Sequence, residues 1–540
     1  MAVVVERPAG VSAALDGGSV REPWWRLLPR PEPGFWTRRS FWLLQAPGLF
    51  GILNAVLFFF VRPDVKDLWA ARARASAAEN GVGLTYWFSW FGGGSTPGNY
   101  SVLTPWISAL IGTEMLAALS AAVIPYLVAY LVRGTRHPVL ATVLSVLAVA
   151  CNLWSGRVPF LFASLLGVIA LIFVRSRQTA WALVAAAVGV AASPTLGPFL
   201  AIGLAGVWLA ERSLRRSTSI VIVGIAVALI GIAVLFGTPG PQPFIGPLQR
   251  EMFLTAPLLL LAGPPPWLRN AILLTIPAVV ILAVIPNGLG SNITRLDWFL
   301  LPVAVAATSP RRTIVAALIA VLPLASGARR TVDHLQQATL PISSNAYYVP
   351  LAQRLDLIPD LSTFRVEVVE HGAQAGYDAL LNHANLARGW ETQDDKALNA
   401  AILGKNLDLA TYRRWLDENA VGYVALPTAF IDYDGEYDLV SQRTPSYLQL
   451  IWQSTDWQLY RVTNPTPIVR PPAQVLHASQ AHVVIDVPCA CATEVRLRWS
   501  KYLEATGPAG LKAEVVNDGK GWTTLRSTMP GSYELKGALR

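Results

Sequence analysis

The sequence predicts an α-helical polytopic membrane protein of about eleven transmembrane helices, followed by an extracytoplasmic α/β domain and a small β-sandwich. Of its 540 residues, 53% are hydrophobic and only 14% are charged, and the mean hydropathy is +0.42. Soluble globular chains are more polar than this. The apolar residues gather in blocks before about residue 327, and the remainder reads like a soluble protein. We therefore expect two regions in different solvents.

The apolar blocks form runs that are nearly free of charge and mark the predicted spans. A helix needs roughly 17 to 25 residues to cross the hydrocarbon core, so several of the runs are short for spans. Pro- and Gly-rich interruptions at ASPTLGPF and LAGPPPWL predict broken or re-entrant helices that border a cavity. The predicted spans are residues 41–61, 115–132, 138–153, 158–174, 179–193, 198–210, 218–236, 252–263, 271–285, 298–307 and 313–326.

Arginines in the loops set the predicted orientation. Arg21, Arg26, Arg30, Arg38 and Arg39 precede the first span, so the positive-inside rule places the N-terminus in the cytoplasm. An odd number of spans then places the C-terminal part outside the plasma membrane. The net charge of +9 thus reflects orientation in a bilayer, and no nucleic-acid partner is expected. The predicted cytoplasmic loops carry Arg133, Arg136, Arg175, Arg177, Arg212, Arg215, Arg216, Arg269, Arg311 and Arg312.

Composition divides the chain into four predicted parts. The Pro-, Arg- and Trp-rich start has no secretory cleavage pattern, so the first apolar run is expected to be an uncleaved anchor. The tail first mixes helical YRRWLDENA with strand-like FRVEVVE and VGYVALP, then shows only short strands such as HVVIDVP. The parts are a cytoplasmic segment (1–40), a transmembrane domain (41–330) with a first outside loop (63–114), an extracytoplasmic α/β domain (331–465) and an extracytoplasmic β-rich domain (466–540).

The cysteines and histidines argue against several other classes of protein. Cys151 lies in an apolar run, and Cys489 and Cys491 are too close in sequence for an unstrained disulfide within one strand. We expect all three to be small core residues. The six histidines show no metal-ligand spacing, and there is no GxxxxGK loop. Neither a zinc hydrolase nor a nucleotide-driven pump is therefore supported.

The first outside loop holds the residues best suited to chemistry. Asp64 and Asp67 stand three residues apart just after the first span, on one face if the segment is helical. Trp87, Trp90 and Tyr100 follow around a Gly-rich run. Aromatic rings beside carboxylates suit a sugar, whose apolar faces stack on rings while its hydroxyls need acceptors. The alternative is an interfacial aromatic belt with surface acids.

Several motifs resemble the GT-C superfamily of membrane glycosyltransferases, and most closely its actinobacterial cell-envelope members. In those proteins an Asp-Leu pair follows the first span and a Tyr-Ser-x-Leu-x-Pro stretch precedes the second, as in KDLW and NYSVLTP here. The resemblance covers most of residues 41–463. It also includes the segments SGRVPF, SPTLGPF, GSNITR, YYVPLAQRL, RVEVV, LARGWETQ and YVALP.

The resemblance implies transfer of a sugar from a polyprenyl-phosphate donor to an envelope glycan or glycolipid at the outer face of the membrane. A first-loop carboxylate acts as general base in such proteins, and Asp67 occupies the matching position. The adjacent acidic pair of many members is missing, so Asp64 stays an alternative base. For the same reason the metal dependence stays open: a divalent cation is compatible with the pattern, and no other cofactor is implied.

Four further residues are expected to bind substrate. Arg157 and Arg295 border outside turns and are candidates for the donor phosphate, since guanidinium binds phosphate bidentately. Alternatively they cap helix ends or pair with Asp297 and lipid head groups. Arg388 and Glu391, in ARGWETQDD, are expected to close over the acceptor, the alternative being a solvated domain face.

Two other functions remain open from the sequence. A transporter or flippase for an envelope precursor is the first, although such proteins usually show repeated halves and intramembrane charges. A non-catalytic glycan-binding assembly factor is the second, because it would keep the same cavity without needing a base.

Overall fold

The computed structural model describes residues 39–369, 374–429 and 435–539. The predicted cytoplasmic segment 1–40 lies outside the described residues except for its last two positions. The first half of the chain is helical, and the second half adds two β-sheets. Both sheets follow the last of the long apolar helices.

The helical half begins with α1 (Arg39–Val61) and a loop that carries α2 (Lys66–Glu79), α3 (Pro97–Tyr100) and α4 (Thr104–Ile111). It continues with α5 (Thr113–Val132), α6 (Pro138–Trp154), α7 (Val158–Arg175), α8 (Thr179–Ala192), α9 (Leu196–Ala210), α10 (Arg215–Phe236), α11 (Gly246–Leu260) and α12 (Pro266–Val284). It ends with a π-helix (Leu296–Leu300), α13 (Leu301–Thr308) and α14 (Thr313–Gln337).

Each of the predicted apolar runs overlaps a helix in the structure. Among the described residues, six helices are long and apolar enough to cross a membrane: α1, α5, α7, α10, α12 and α14. Helices α6, α8 and α9 are apolar but shorter. The length and composition of these helices are those of a membrane protein. The full count of about eleven spans stays a prediction.

Exposed apolar side chains on these helices support the membrane assignment. Along α10 they recur every three or four residues and so form one face of the helix. Water-soluble proteins rarely expose apolar surface of this extent, whereas lipid covers it without cost. The exposed residues of α10 include Ile220, Val223, Val227, Ile230 and Val234.

The first sheet belongs to an α/β region. Its helices are α15 (Asn345–Asp356), α16 (Gly376–Ala379), α17 (Thr392–Leu398), α18 (Leu409–Glu418) and α19 (Gly435–Arg443). Its strands lie in the order β1 (Arg365–Val368), β2 (Val421–Pro427), β4 (Trp457–Val462), β3 (Leu448–Gln453). Strands β1 and β2 are parallel and the other pairs antiparallel. Both are buried along their whole length, as expected for strands covered on both faces.

The second sheet contains seven antiparallel strands around one core. The expected sandwich is a single hydrogen-bonded series in the order β5-β6-β11-β8-β9-β10-β7, and inward side chains from both ends of the series share the core. The strands are β5 (Gln474–Ala478), β6 (His482–Val487), β7 (Ala492–Arg498), β8 (Leu503–Thr506), β9 (Lys512–Asn517), β10 (Trp522–Arg526) and β11 (Gly531–Gly537).

One cysteine prediction is wrong. Cys489 and Cys491 form a disulfide, with Cα atoms 5.4 Å apart. The two residues lie in the turn between β6 and β7 rather than within one strand, so their side chains can face each other. Cys151 is a free, buried cysteine of α6, as expected.

The loop between α1 and α5 packs against the α/β region. Its residues Trp87 and Trp90 are fully buried in one apolar cluster with Tyr348, Val366 and Trp457 of that region. Covering two tryptophans removes a large apolar area from water, so the loop is firmly attached to the α/β region. The start of α2, at Leu68, contacts the turn between α6 and α7.

Candidate active site

The start of α2 is fixed by an unusually close backbone contact. Gly156, in the turn between α6 and α7, has a φ of +72°, and a Cβ at this position would lie 2.5 Å from the backbone nitrogen of Leu68. Only glycine allows both the backbone conformation and the approach. Asp67 precedes Leu68 in the chain and Arg157 follows Gly156, so the contact brings the carboxylate of Asp67 close to the guanidinium of Arg157.

Asp67 and Arg157 form an ion pair at this point. Asp67 lies in the first turn of α2, where the helix dipole favours a negative charge. Its Oδ2 is 3.5 Å from Nε of Arg157. The Asp67 side chain is 25% exposed, whereas that of Arg157 is 8% exposed. The pair thus has an open side at the carboxylate and a buried side at the guanidinium.

The Arg157 guanidinium keeps unused hydrogen-bonding capacity. Within the described part of the chain, its buried Nε and Nη1 atoms have no hydrogen-bond partner. Its Cζ lies 5.9 Å from the centre of the Phe299 ring. A buried guanidinium with free donors is poorly satisfied by one carboxylate at 3.5 Å, so it can bind a further anion.

Arg295 and His334 complete the basic side of the site. The Arg295 guanidinium lies over the Phe160 ring, 5.1 Å from its centre, and interacts electrostatically with Arg157 and Asp67. His334, near the end of α14, interacts electrostatically with Asp67 and both arginines. Two guanidinium groups therefore approach one carboxylate where α2 meets the turns that precede α7 and α13.

Tyr100 links this group to the tail. Its motif NYSVLTP is anchored by the Ser101 and Thr104 hydroxyls, which donate to the Ala192 carbonyl at 2.7 and 2.8 Å. That carbonyl lies at the C-terminal end of α8, where helices lack internal donors. Tyr100 itself interacts electrostatically with Asp67 and Arg295 on one side and with Arg74 and Glu391 on the other.

Arg74 and Glu391 form the tail side of the site. The Arg74 guanidinium lies over the Tyr100 ring, 3.8 Å from its centre, and its Nη2 donates to Glu391 Oε1. The Ser95 hydroxyl donates to the other Glu391 oxygen at 3.4 Å. Arg74 is two helical turns after Asp67 and therefore on the same face of α2. The loop and the α/β region thus meet at a buried ion pair.

Asp394 adds a second carboxyl group beside Glu391. Burial, together with the negative charge of Glu391, raises the pKa of Asp394. Burial also acts on Glu391, but Arg74 and the hydrogen bonds it accepts outweigh this effect and lower its pKa. At neutral pH the two carboxyl groups therefore share one proton and together present both a donor and an acceptor.

Asp64 lies apart from this group and pairs with another arginine. Its Oδ1 is 3.6 Å from Nη1 of Arg72, and Arg72 Nε donates to Glu114 at 2.7 Å. Burial raises the pKa of Asp64, although Arg72 opposes the shift. No ion pair joins Asp64 to Arg157 or Arg295 among the described residues. The structure thus separates the two candidate carboxylates.

Three of the predicted substrate-binding residues are inside the protein core. Trp87 and Trp90 are both fully buried and stack on each other with ring centres 4.0 Å apart, so neither ring offers a face to a sugar. Arg388 is surrounded by three carboxylates. It binds Asp395 through two hydrogen bonds of 2.9 and 2.6 Å and reaches Glu367 and Glu436 at 3.4 and 3.2 Å. Its donors hold the α/β region together, and we leave all three residues out of the proposed site.

Sequence reasoning misses Arg74 and His334. Arg74 has a usable signal, since it follows Asp67 by seven residues on a predicted helical face. His334 has none, because only the tertiary structure brings it to Asp67. Asp394 stands three residues after Glu391 in the same charged stretch. In the part of the chain that the structure describes, His, Cys, Asp and Glu side chains form no group of three suited to a metal. We derive no step through a divalent cation.

The comparisons with known proteins give a distant likeness. No protein-family model and no curated protein matches the chain. Among solved structures, it is similar to two cryo-EM structures of the arabinofuranosyltransferase AftD from mycobacteria, one of them a mutant, each with 14% sequence identity and a TM-score of 0.42. The likeness covers 92% of this chain and 60% or 57% of those chains. The chain thus spans less than two thirds of the length of these structures.

Proposed function

We propose that the chain is a membrane glycosyltransferase of the GT-C type. In this proposal it moves a sugar from a polyprenyl-phosphate donor onto an envelope glycan or glycolipid at the outer face of the plasma membrane, and Asp67 is the general base. One observation carries the proposal: a partly exposed carboxylate is held 3.5 Å from a buried arginine with unused donors, with a second arginine beside it. Transfer from a lipid phosphate needs both kinds of group.

The reaction uses the two sides of this pair in one displacement. An acceptor hydroxyl oxygen attacks the anomeric carbon of the donor sugar while Asp67 takes the hydroxyl proton. The bond between the anomeric carbon and the phosphate oxygen breaks, and its electron pair leaves with the polyprenyl phosphate. Arg157 and Arg295 stabilise the charge that develops on this phosphate. A single displacement of this kind inverts the configuration at the anomeric carbon.

Donor binding changes the partner of Arg157 in this scheme. In the structure the Arg157 Nε faces Asp67 at 3.5 Å, and its buried Nη1 has no hydrogen-bond partner within the described residues. A donor phosphate competes with Asp67 for this guanidinium. When Arg157 turns to the phosphate, the Asp67 carboxylate is left open to the acceptor hydroxyl.

The acceptor binds on the tail side of Asp67 in the proposal. Glu391 offers a charged acceptor to sugar hydroxyls, Asp394 offers a proton donor, and the ring of Tyr100 lies between them and the base. Sugar recognition commonly combines such hydrogen-bonding groups with an aromatic ring. An acceptor held here presents its hydroxyl to the open side of the Asp67 carboxylate.

Orientation and domain organisation complete the proposal. Residues 41–330 form the transmembrane domain, and residues 331–465 and 466–540 form two domains outside the cytoplasm. Basic loops on one side of the helices support this orientation. The Cys489–Cys491 disulfide supports it independently, because disulfides persist on the oxidising side of a membrane.

The test is a transfer assay with purified protein in liposomes. Radiolabelled sugar on a polyprenyl-phosphate carrier is supplied together with envelope glycan, without nucleotide and without an ion gradient. We expect label to appear in glycan through a glycosidic bond. Solute movement across the membrane with no such product would favour a transporter or flippase. Glycan binding with neither product nor transport would favour an assembly factor.

A further inference from the structure

Three arginines surround the ring of Trp522, away from the residues of the proposed active site. Their Cζ atoms lie 6.0, 5.9 and 3.9 Å from the ring centre for Arg365, Arg496 and Arg498. Arg365 comes from β1 of the α/β region, whereas the other two arginines come from β7 and Trp522 from β10. The cluster thus joins the two sheets. We call it the Trp522 cluster.

The Trp522 cluster has no carboxylate partner in the described ranges. Arg365 donates to the backbone carbonyls of Asn419, at 2.8 Å, and of Arg496. Arg498 Nη2 donates to the Asn419 side-chain oxygen at 3.1 Å. Glu418 interacts electrostatically with Arg498 but is exposed and forms no ion pair with it. Three positive charges thus meet with only neutral acceptors as partners.

Several donors of the cluster are unused. Arg365 is 1% exposed, and its buried Nε lacks a hydrogen-bond partner within the described residues, as does the buried Nε of Arg498. The Arg496 guanidinium lies over the Trp522 ring. Burial, together with the charges of Arg498 and Arg496, lowers the pKa of Arg365 to about 9. Buried charges are normally paired, so this arrangement lacks an anion.

The first outside loop closes the cluster on one side. Gly92 has a φ of +64°, and its carbonyl accepts a hydrogen bond of 2.7 Å from the Arg498 backbone N–H. A Cβ on Gly92 would lie 3.1 Å from the Arg365 guanidinium and 3.3 Å from the Trp522 ring. The loop backbone therefore reaches the guanidinium groups where a side chain would obstruct them. Glycine at position 92 therefore allows both the positive φ and the close approach of the loop to the cluster.

We propose that the Trp522 cluster is a binding site for a tetrahedral oxyanion of the phosphate type. Guanidinium groups bind such oxyanions through paired N–H donors, and several directions of approach suit a tetrahedral group better than a planar carboxylate. The anion joins the first outside loop to both sheets, because each contributes to the cluster. The phosphate is either free or carried as an ester on a lipid head group, and both sources present the same chemistry. The site is separate from Asp67 and does not depend on the proposed function.

The first experiment measures thermal unfolding of the full chain in detergent with increasing inorganic phosphate, with chloride at equal ionic strength as reference. A ligand that binds the folded state raises the Tm with its concentration. We expect a rise with phosphate that chloride does not reproduce. Arg496→Gln should weaken the phosphate affinity by about tenfold or more, since it removes a charge-assisted hydrogen bond. The matched control Arg470→Gln, an exposed arginine paired with Glu494, should keep the full rise.

Arg496→Gln also separates ligand binding from a purely structural role. Within the described residues the Arg496 guanidinium lies over the Trp522 ring and forms no hydrogen bond. Without phosphate, Arg496→Gln should therefore leave the Tm unchanged or raise it, because it reduces the repulsion among the three arginines. A lower Tm without phosphate, together with an unchanged phosphate response, would assign the cluster to structure alone and overturn the proposal. A rise that chloride reproduces would overturn it as well.

The second experiment identifies the source of the phosphate. The protein is reconstituted in vesicles of neutral phosphatidylcholine with or without an anionic phospholipid, and the phosphate titration is repeated. If a lipid head group occupies the site, anionic vesicles should raise the Tm of the unmodified chain and of Arg470→Gln but not of Arg496→Gln, and added phosphate should then have little effect. If the phosphate is free, the rise should be the same in both kinds of vesicle.

Discussion

Gly156 and Leu68 meet so closely that a methyl group at Gly156 would lie 2.5 Å from the Leu68 backbone nitrogen. Gly156 adjoins Arg157 and Leu68 adjoins Asp67, so this contact sets the distance between the Arg157 guanidinium and the Asp67 carboxylate. It connects the turn before α7 with the first turn of α2, two segments almost ninety residues apart in the chain. The proposed chemistry depends on this backbone contact as much as on the side chains it positions.

Gly156→Ala is therefore expected to reduce transfer. The added methyl group must push α2 away from Arg157, and the φ of +72° is strained for alanine. Strain of this kind costs on the order of 1–3 kcal/mol, so the Tm should fall as well. The measurement is turnover together with thermal unfolding. Gly231→Ala is the control, since a Cβ at that helical position meets nothing within 4 Å. Equal turnover in both variants would show that the contact does not set the site.

Arg157→Lys and Arg295→Lys are expected to weaken donor binding while keeping the charge. Lysine cannot offer two parallel N–H donors to a phosphate, so the donor KM should rise on the order of 10- to 100-fold for each variant. The acceptor KM should change little. Initial rates over a range of donor concentrations measure this split. Arg216→Lys, in the first turn of α10 and away from Asp67, is the matched control and should behave like the unmodified chain.

Asp394 is expected to make stability depend on pH. Its pKa is raised in the folded state, so the folded chain holds a proton that the unfolded chain releases above about pH 4. Its contribution to stability is then complete below that pH and is lost as pH rises toward the folded pKa. The apparent Tm of the unmodified chain should fall more steeply from roughly pH 6 to pH 8 than that of Asp394→Asn. Glu79→Gln, which changes an exposed acid at the end of α2, should leave the slope unaltered.

Orientation is tested by labelling single cysteines from outside the cell. In a Cys151→Ala background, Lys520→Cys in the β9–β10 turn should react with an impermeant maleimide, whereas Gly134→Cys between α5 and α6 should react only after permeabilisation. Both positions are exposed in the structure, so a difference between them reports the side of the membrane rather than burial. Labelling of the Gly134 position in intact cells would reverse the proposed orientation.

The sequence is sufficient to locate the helices and to name several of the residues that lie near Asp67. Apolar runs mark the helices because lipid and core both require apolar side chains. Asp67, Tyr100, Arg157, Arg295 and Glu391 are candidate site residues from the sequence, and the structure brings them together. The two arginines border turns that the sequence places on the same side as the first loop, which makes a position near Asp67 possible.

Other residues were placed by contacts that no local pattern records. Trp87 and Trp90 lie in an aromatic-rich loop beside carboxylates, a pattern that suits sugar binding. A tryptophan ring that binds a sugar and one that fills a core are equally apolar, so the sequence does not distinguish them. Arg388 stands in a charged stretch typical of a surface, yet it is buried and pairs with Asp395 of that stretch and with Glu367 and Glu436, which are distant in sequence. The disulfide between Cys489 and Cys491 depends on the local conformation of the turn that holds them. The burial of Trp87, Trp90 and Arg388 follows from tertiary packing rather than from spacing along the chain.

The role of Asp67 separates the proposed enzyme from every non-catalytic alternative. Asp67→Asn keeps the size of the side chain and removes the group that accepts a proton, so folding should survive. Asp64→Asn is the matched control, because it changes a second carboxylate three residues away that pairs with Arg72 rather than with Arg157. Both variants should bind donor, since the phosphate is assigned to Arg157 and Arg295.

The deciding measurement is the single-turnover rate of sugar transfer by Asp67→Asn and Asp64→Asn at matched expression and saturating donor. General-base catalysis typically contributes 10²- to 10⁴-fold, so Asp67→Asn should lose at least about 10²-fold in rate while Asp64→Asn stays near the unmodified chain. A near-normal rate for Asp67→Asn would contradict the account, and loss of rate in Asp64→Asn alone would move the base to Asp64.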